Sequence, residues 1–357
     1  MEPHFWLDVE GFRYQKRAGN PRIIPAVRYG ADNIAKCLGK MIMRSKNSMW
    51  ALFFVLLGLL LPSLVFAEDF TATVHKYPYR IPDLTVIGSP KWYTIQPKDT
   101  LLDIARRNDL GFNSIRLLYP KMDAWLPPKG KRIFIPTFFV LPPSKHYQLE
   151  VNIPEMRLYF FNQADSTVQT YPIGIGVEGW ECPVGDFYIN YKTAHPTWYV
   201  PASLQAKYGM TSMPPGPDNP LGNYIMKFSA GDYGVHGTSM PWGVGRLVSH
   251  GCIRCYPENI KILFPQVPLK TSIEIIYQPV KFGQRNGRIF VQSYPDVYNK
   301  IPNYAQYALD VLSQYSFAKD VDQRKLMVAV SLQNGVPTDV TRDDFKDNSL
   351  NLSKITQ

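Results

Sequence analysis

The chain has 357 residues, 45% of them hydrophobic and 19% charged, with a formal net charge of +10. Nine of the 39 Lys and Arg and four of the 29 Asp and Glu fall in residues 1–67, so the remainder holds 30 basic against 25 acidic residues, or +5. A mild basic excess suits an anionic polymer and many ordinary surfaces alike, but there is no clustered basic helix to argue for nucleic acid.

Arg44 and Lys46 precede the apolar run Met49–Leu61, which ends at Pro62 and is followed by Val65-Phe66-Ala67 before Glu68-Asp69. That order predicts a signal peptide over 41–67 and an exported, periplasmic protein that meets a membrane only during export. The run is also close to the roughly 17 residues of a short span, so an uncleaved anchor is the alternative. A signal peptide should open a chain, which makes Met41 or Met43 the expected start and 1–40 an overcalled extension. With Cys37 in that leader, the rest carries Cys182, Cys252 and Cys255. Three cysteines are too few for a disulfide scaffold; they fit one working thiol and either a Cys182–Cys255 bridge or two buried thiols.

Residues 91–137 predict a small domain ordered strand, helix, helix, strand. Trp92–Ile95 alternates, Thr100 with Asp103 forms a capping signature, and Leu101, Ile104 and Ala105 make a buried stripe. Asn113 is the expected cap of a second helix bearing Ile115, Leu117 and Leu118, before the strand Arg132–Ile135.

From 145 to 279 the pattern predicts a mainly β domain of mixed sheets. Expected strands are 147–151, 156–160, 167–173, 186–192, 224–228, 233–236 and 272–277, with one convincing helix over 257–264. Residues 197–223, rich in Pro, Gly and Tyr, read as a long loop without regular pairing, either a wall of a site or a surface excursion. Trp180, Trp198, Tyr199 and Trp242 could offer flat faces to a sugar or peptide, or belong to the core. Over 280–357, Asn286-Gly287 predicts a hairpin turn, Ile301–Tyr315 a docking helix, and residues from Asp339 a mobile polar tail.

The chemistry concentrates in Val248-Ser249-His250-Gly251-Cys252-Ile253-Arg254 and in Val235-His236-Gly237-Thr238. A thiol with a pKa of about 8.5 needs a base or a positive charge to act as a nucleophile, and His236 and His250 supply imidazoles. Gly251 would let a carbonyl approach backbone N–H groups. Cys252-x-x-Cys255 with the histidines also contains zinc-type ligands, and a Cys-x-x-Cys pair can be a redox dithiol. Acyl transfer through a thioester alone uses both histidines and the glycine.

The motif His236-Gly237-Thr238…Gly245–Arg254 resembles the signature of L,D-transpeptidases of the YkuD type. Tyr171–Gly176, Gly179-Trp180-Glu181, Gly216–Gly222 and Val280-Lys281 extend the likeness to the branch with a preceding LysM module, the small peptidoglycan-binding domain that residues 91–137 resemble. The likeness implies a mainly β catalytic domain of the mixed-sheet sandwich type after an α+β LysM domain. It implies a cofactor-free, metal-free enzyme that attacks the diaminopimelate–D-Ala bond of a tetrapeptide stem, releases D-Ala, and passes the acyl group to an amine. That amine could belong to a second stem, giving a 3→3 crosslink, or to a lysine of an envelope lipoprotein. Water as acceptor would make a carboxypeptidase, and an inactive motif a cell-wall binding protein; acylation by a carbapenem would separate enzyme from binder. Carried over by position, Cys252 is the nucleophile, His236 the base and Gly237 the carbonyl that orients it. His250 and the backbone at Gly251 and Cys252 line the oxyanion and substrate region, while Ser249 and Arg254 shape the motif loop. Arg254 could also hold a substrate carboxylate. The sequence departs from the pattern at Tyr119-Pro120, where LysM modules have Asn, and at Cys182 and Cys255, whose oxidation with Cys252 would silence the site.

Overall fold

The computed structural model describes residues 7–9, 12–14, 74–143 and 148–342. The expected signal peptide, its anchor alternative, Cys37 and residues 343–357 lie outside the described residues, as do 145–147 at the start of the expected catalytic domain. Two units divide the chain, Met1–Asp69 and Phe70–Gln357. In the first, β1 (Leu7–Val9) pairs antiparallel with β2 (Phe12–Tyr14). No helix among the described residues is long and apolar enough to cross a membrane.

The second unit begins with β3 (Lys76–Pro78), β4 (Val86–Gly88) and β5 (Lys91–Thr94), then α1 (Leu101–Arg107), α2 (Phe112–Arg116), β6 (Arg132–Ile135) and β7 (Phe138–Val140). β5 pairs antiparallel with β6, and Leu101, Ile104, Ala105, Leu110, Ile115 and Ile133 share one core beneath the two helices. Thr100 caps α1, its Oγ1 accepting from the Asp103 N–H at 3.0 Å. The expected cap Asn113 lies inside α2, which starts after Gly111 without a side-chain cap. Its amide is used elsewhere, donating to the Glu155 carbonyl at 2.9 Å across to the next domain.

Next come β8 (Leu149–Asn152), β9 (Arg157–Asn162), β10 (Thr167–Gly176), β11 (Gly185–Ala194), β12 (Trp198–Tyr199), α3 (Ala202–Tyr208) and β13 (Ser212–Met213). β14 (Tyr224–Phe228), β15 (Gly234–His236), β16 (Leu247–Ser249), β17 (Ile253–Cys255), α4 (Pro257–Gln266) and β18 (Ser272–Ile276) follow. The domain is mainly β with mixed pairing, but the strands do not separate into two stacked sheets. They run β10, β17, β15, β14, β11, β18, β8, β9 and back to β10, a closed ring of hydrogen-bonded neighbours. The ring closes because β10 is long enough to serve both sides: Thr167–Pro172 pairs with β9, and Ile173 and Gly174 pair with β17. Leu149, Leu158, Tyr171, Ile173, Ile189, Phe228, Val235 and Ile253 fill the core, with Ile260 and Leu263 of α4 packed against it.

The 197–223 segment does contain regular structure. β12 and β13 pair antiparallel around α3, with Trp198 packed edge-on against Tyr208. Beyond the ring, β19 (Val280–Arg285) and β20 (Arg288–Ser293) form the expected hairpin. Asn286 and Gly287 take φ of +52° and +73°, the left-handed pair that a tight two-residue hairpin turn requires. α5 (Tyr304–Ser313) and α6 (Gln323–Leu332) bury Ala308, Val311, Leu312, Leu326 and Val330 against this hairpin. The tail is less free than expected, since β21 (Thr338–Asp339) pairs with β20 and Thr341 is buried.

Candidate active site

β15 and β17 are parallel neighbours with His236 opposite Arg254 and Val235 opposite Ile253. Cys252 directly precedes β17, two residues from Arg254, and the Arg254 charge acts on both the Cys252 thiol and the His236 imidazole. Two local motifs thus become one site through a single strand pairing.

His236 is buried, and its Nδ1 lies 2.6 Å from the Gly237 carbonyl oxygen. A carbonyl only accepts, so Nδ1 holds the proton. Burial, helped by the Arg254 charge and opposed by the Gly237 hydrogen bond, pushes the imidazole pKa down to about 3. The ring is therefore neutral at physiological pH, with its lone pair on Nε2. Burial also raises the Cys252 thiol, against a Gly234 backbone hydrogen bond and the charges of Arg254 and Lys227, which lower it. Both shifts favour the uncharged forms, thiol and neutral imidazole, over an ion pair.

The motif loop is held from within. Ser249 Oγ donates to the Cys252 carbonyl at 2.5 Å and accepts from the Gly251 N–H at 3.2 Å. Gly251 adopts φ +98°, and a Cβ there would stand 2.3 Å from Cε1 of Tyr233. The space that Gly251 leaves open is filled by Tyr233, and its N–H is engaged by Ser249, so the glycine's visible use is to let the loop turn against that ring. Tyr233 was not singled out in the sequence, where nothing local links it to position 251. His250 is exposed and packs edge-on against Trp180, ring centroids 5.2 Å apart; Trp180 is 51% exposed. Trp242 and Tyr199 are also exposed, whereas Trp198 is half-buried.

All three described cysteines are free thiols, so the alternative of a Cys182–Cys255 bridge does not hold. Cys255 is fully buried in the ring core, and Cys182 Sγ lies 4.0 Å from the Cys252 carbonyl oxygen. Burial pushes Cys182 up to about 12 and raises Cys255 as well, which leaves both thiols protonated. Among the described residues no three His, Cys, Asp or Glu side chains are grouped to hold a metal ion, so the zinc alternative finds no ligand set.

A model of the YkuD L,D-transpeptidase catalytic domain matches residues 146–275. The chain is 32% identical to "Probable L,D-transpeptidase YbiS" of Escherichia coli (strain K12), over 75% of this chain and 92% of that one. This chain belongs to the L,D-transpeptidase family. It is also 28% identical to "Probable L,D-transpeptidase YcfS" of the same strain, over 87% of this chain and the full length of that one. Among solved structures it is similar to the catalytic domain from E. faecium L,D-transpeptidase at 22% identity and a TM-score of 0.30, covering 38% of this chain and 99% of that one.

In this family member the small domain is built into the approach to the site. The Phe112 N–H donates to the Val244 carbonyl at 3.2 Å, and Arg246 stacks over the Phe112 ring at 4.2 Å. Gly245 takes φ +80°, and a Cβ there would lie 2.2 Å from the Phe112 nitrogen. Arg106 forms a two-pronged ion pair with Glu258 in the first turn of α4, both bonds 2.7 Å. Tyr256 Oη donates to the Leu110 carbonyl, and Asn259 Nδ2 to Asp109 Oδ1 at 2.7 Å. The seam thus meets the chain on both sides of the 248–254 motif, at 244–246 and at 256–259.

Proposed function

We propose that this chain is a cysteine-dependent acyltransferase of the periplasm that acts on peptidoglycan tetrapeptide stems. Cys252, just before β17, and His236, at the end of the neighbouring β15, carry this reading. In the first half-reaction Cys252 Sγ attacks the carbonyl between diaminopimelate and D-Ala while its proton passes to His236 Nε2. The tetrahedral intermediate collapses, the C–N bond breaks, and D-Ala leaves as an amine that takes the proton back. An acceptor amine then attacks the thioester, gives its proton to His236, and the thiol is re-formed. Arg254 and Lys227, whose charges favour the thiolate, stabilise negative sulfur as it develops. His250 and the Cys252 backbone flank the place where the carbonyl oxygen becomes negative.

The 91–137 domain is read as a LysM module, supported by its strand–helix–helix–strand order and by the Asp99-Thr100-Leu101 wording. Its docking on the 244–246 loop would bring glycan and stem to one place. The acceptor is an amine of a second stem or of a lipoprotein lysine. Mass spectrometry of disaccharide-tetrapeptide incubated with the purified chain, beside Cys252→Ala, tests the reading. Cysteine-dependent loss of D-Ala with crosslinked dimers is expected; repeated loss without dimers would indicate water as acceptor, loss that stops at one D-Ala per enzyme would indicate an acceptor absent from the mixture such as a lipoprotein lysine, and no thiol-dependent change would overturn it.

A further inference from the structure

Between β11 and β14 the chain leaves the ring and returns, and one side chain ties that excursion together. Asn219 is fully buried. Its Nδ2 donates to the carbonyls of Pro196, Met213 and Pro214 at 2.9, 3.3 and 3.1 Å, and its Oδ1 accepts from the Leu221 N–H at 2.9 Å. Its own carbonyl accepts from the Gly222 N–H at 2.9 Å. Both ends of the excursion and its middle therefore meet at one amide.

The turn so fixed presses on the base. Gly222, at φ +62°, lies so close to the peptide joining Gly237 to Thr238 that a Cβ would stand 2.7 Å from the Thr238 nitrogen and 3.0 Å from the Gly237 carbonyl carbon. The Gly237 N–H is held from the other side by the Tyr224 carbonyl at 3.0 Å. That Gly237–Thr238 peptide is the one whose oxygen binds His236 Nδ1.

We infer that Asn219 is a positioning residue for the base, an inference that rests on the proposed role of His236. By locking the 219–222 turn it holds the Gly237–Thr238 peptide in the one orientation that keeps the proton on Nδ1. If that peptide rotates, the buried Nδ1–H loses its acceptor, and a buried donor without a partner is costly. Moving the proton to Nε2 relieves the cost, but an Nε2–H cannot accept the thiol proton.

The test is nitrogen NMR of the chain with its histidine rings labelled, alongside kinetics, for wild type, Asn219→Ala and Gly222→Ala. Wild type should show His236 as the Nδ1–H tautomer; a wild-type Nε2–H tautomer overturns the inference outright. Asn219→Ala should shift His236 toward Nε2–H and lower kcat by about 10- to 100-fold with KM within about twofold. Gly222→Ala leaves the Asn219 side chain and all its partner groups in place but pushes on the same peptide, so it should shift the tautomer in the same direction even if Asn219→Ala fails to fold. Loss of activity in a folded variant whose His236 keeps the Nδ1–H tautomer would reduce Asn219 to a structural residue. Should wild type lack turnover, the proposed function falls, while the tautomer comparison still decides the role of Asn219.

Discussion

The strand pair that carries His236 and Cys252 and the seam between the small domain and α4 both take ionisable groups out of water, with opposite results. In the strand pair, burial holds both groups neutral: the imidazole falls to about 3 and the thiol rises. In the seam, opposite charges meet directly, Arg106 on Glu258 at 2.7 Å, while the buried Asp109 carboxyl beside them, hydrogen-bonded by Asn259, is pushed toward its neutral form. Neutrality leaves a proton that can pass between the groups, as the proposed attack requires, whereas pairing leaves charges that hold two surfaces in register. Burial shifts a base and an acid in opposite directions, so the two regions answer pH oppositely. His236 binds its proton less readily folded than unfolded, so its share of stability is lost as pH falls from about 6.5 toward 3. Burial raises Asp109 from an ordinary 3.8 to about 6, so its share is lost as pH rises through that window.

The comparison breaks most sharply at the sulfur. Cys252→Ser should lower turnover by about 10³-fold or more, as a hydroxyl replaces a far better nucleophile, while the urea midpoint stays close to wild type. A large loss of stability would show that the thiol belongs to the scaffold as well. Gly245→Ala should do the reverse, costing about 2–3 kcal/mol in urea denaturation because the new Cβ meets the Phe112 backbone at a left-handed φ. Arg106→Ala should cost about 1–2 kcal/mol by the same measurement, since the Glu258 side chain, only 13% exposed, would lose both bonds from this partner. A change below about 0.3 kcal/mol would mean that the seam is held by shape alone. The smallest effect is expected for Asp109→Asn, a gain below about 1 kcal/mol at pH 7. It should be absent at pH 4, where the native carboxyl is already protonated, and urea midpoints at the two pH values would show a gain that is equal at both if the cause lies elsewhere.

The site was largely legible in the sequence because its groups sit in two short segments, 235–238 and 248–254, and one strand pairing joins them. The strand 224–228 and the helix starting at Pro257 were equally plain, each having a buried face that leaves a periodic pattern. What the sequence hid was long-range or patternless. Ring closure depends on β10 meeting partners on both sides, and no alternation of apolar residues records which partners those are. α3 buries none of its residues and so prints no stripe, and β12 and β13 are two residues each, too short to alternate. α6 could have been found, since Asp322 caps it and Leu326, Ala329 and Val330 recur at helical spacing. Asn219 and Tyr233 act only through residues that the fold brings to them.

The shared strand β10 also sets when Cys252 and His236 are brought together. Its first half can zip onto the neighbouring β9 as a local hairpin, but Ile173 and Gly174 must wait for Cys255 and Arg254, far downstream. Such late, distant pairings close slowly and only once the intervening chain is present. In a growing polypeptide Cys252 and His236 therefore stay apart until the step that completes the ring, and the proposed couple is a late product of folding.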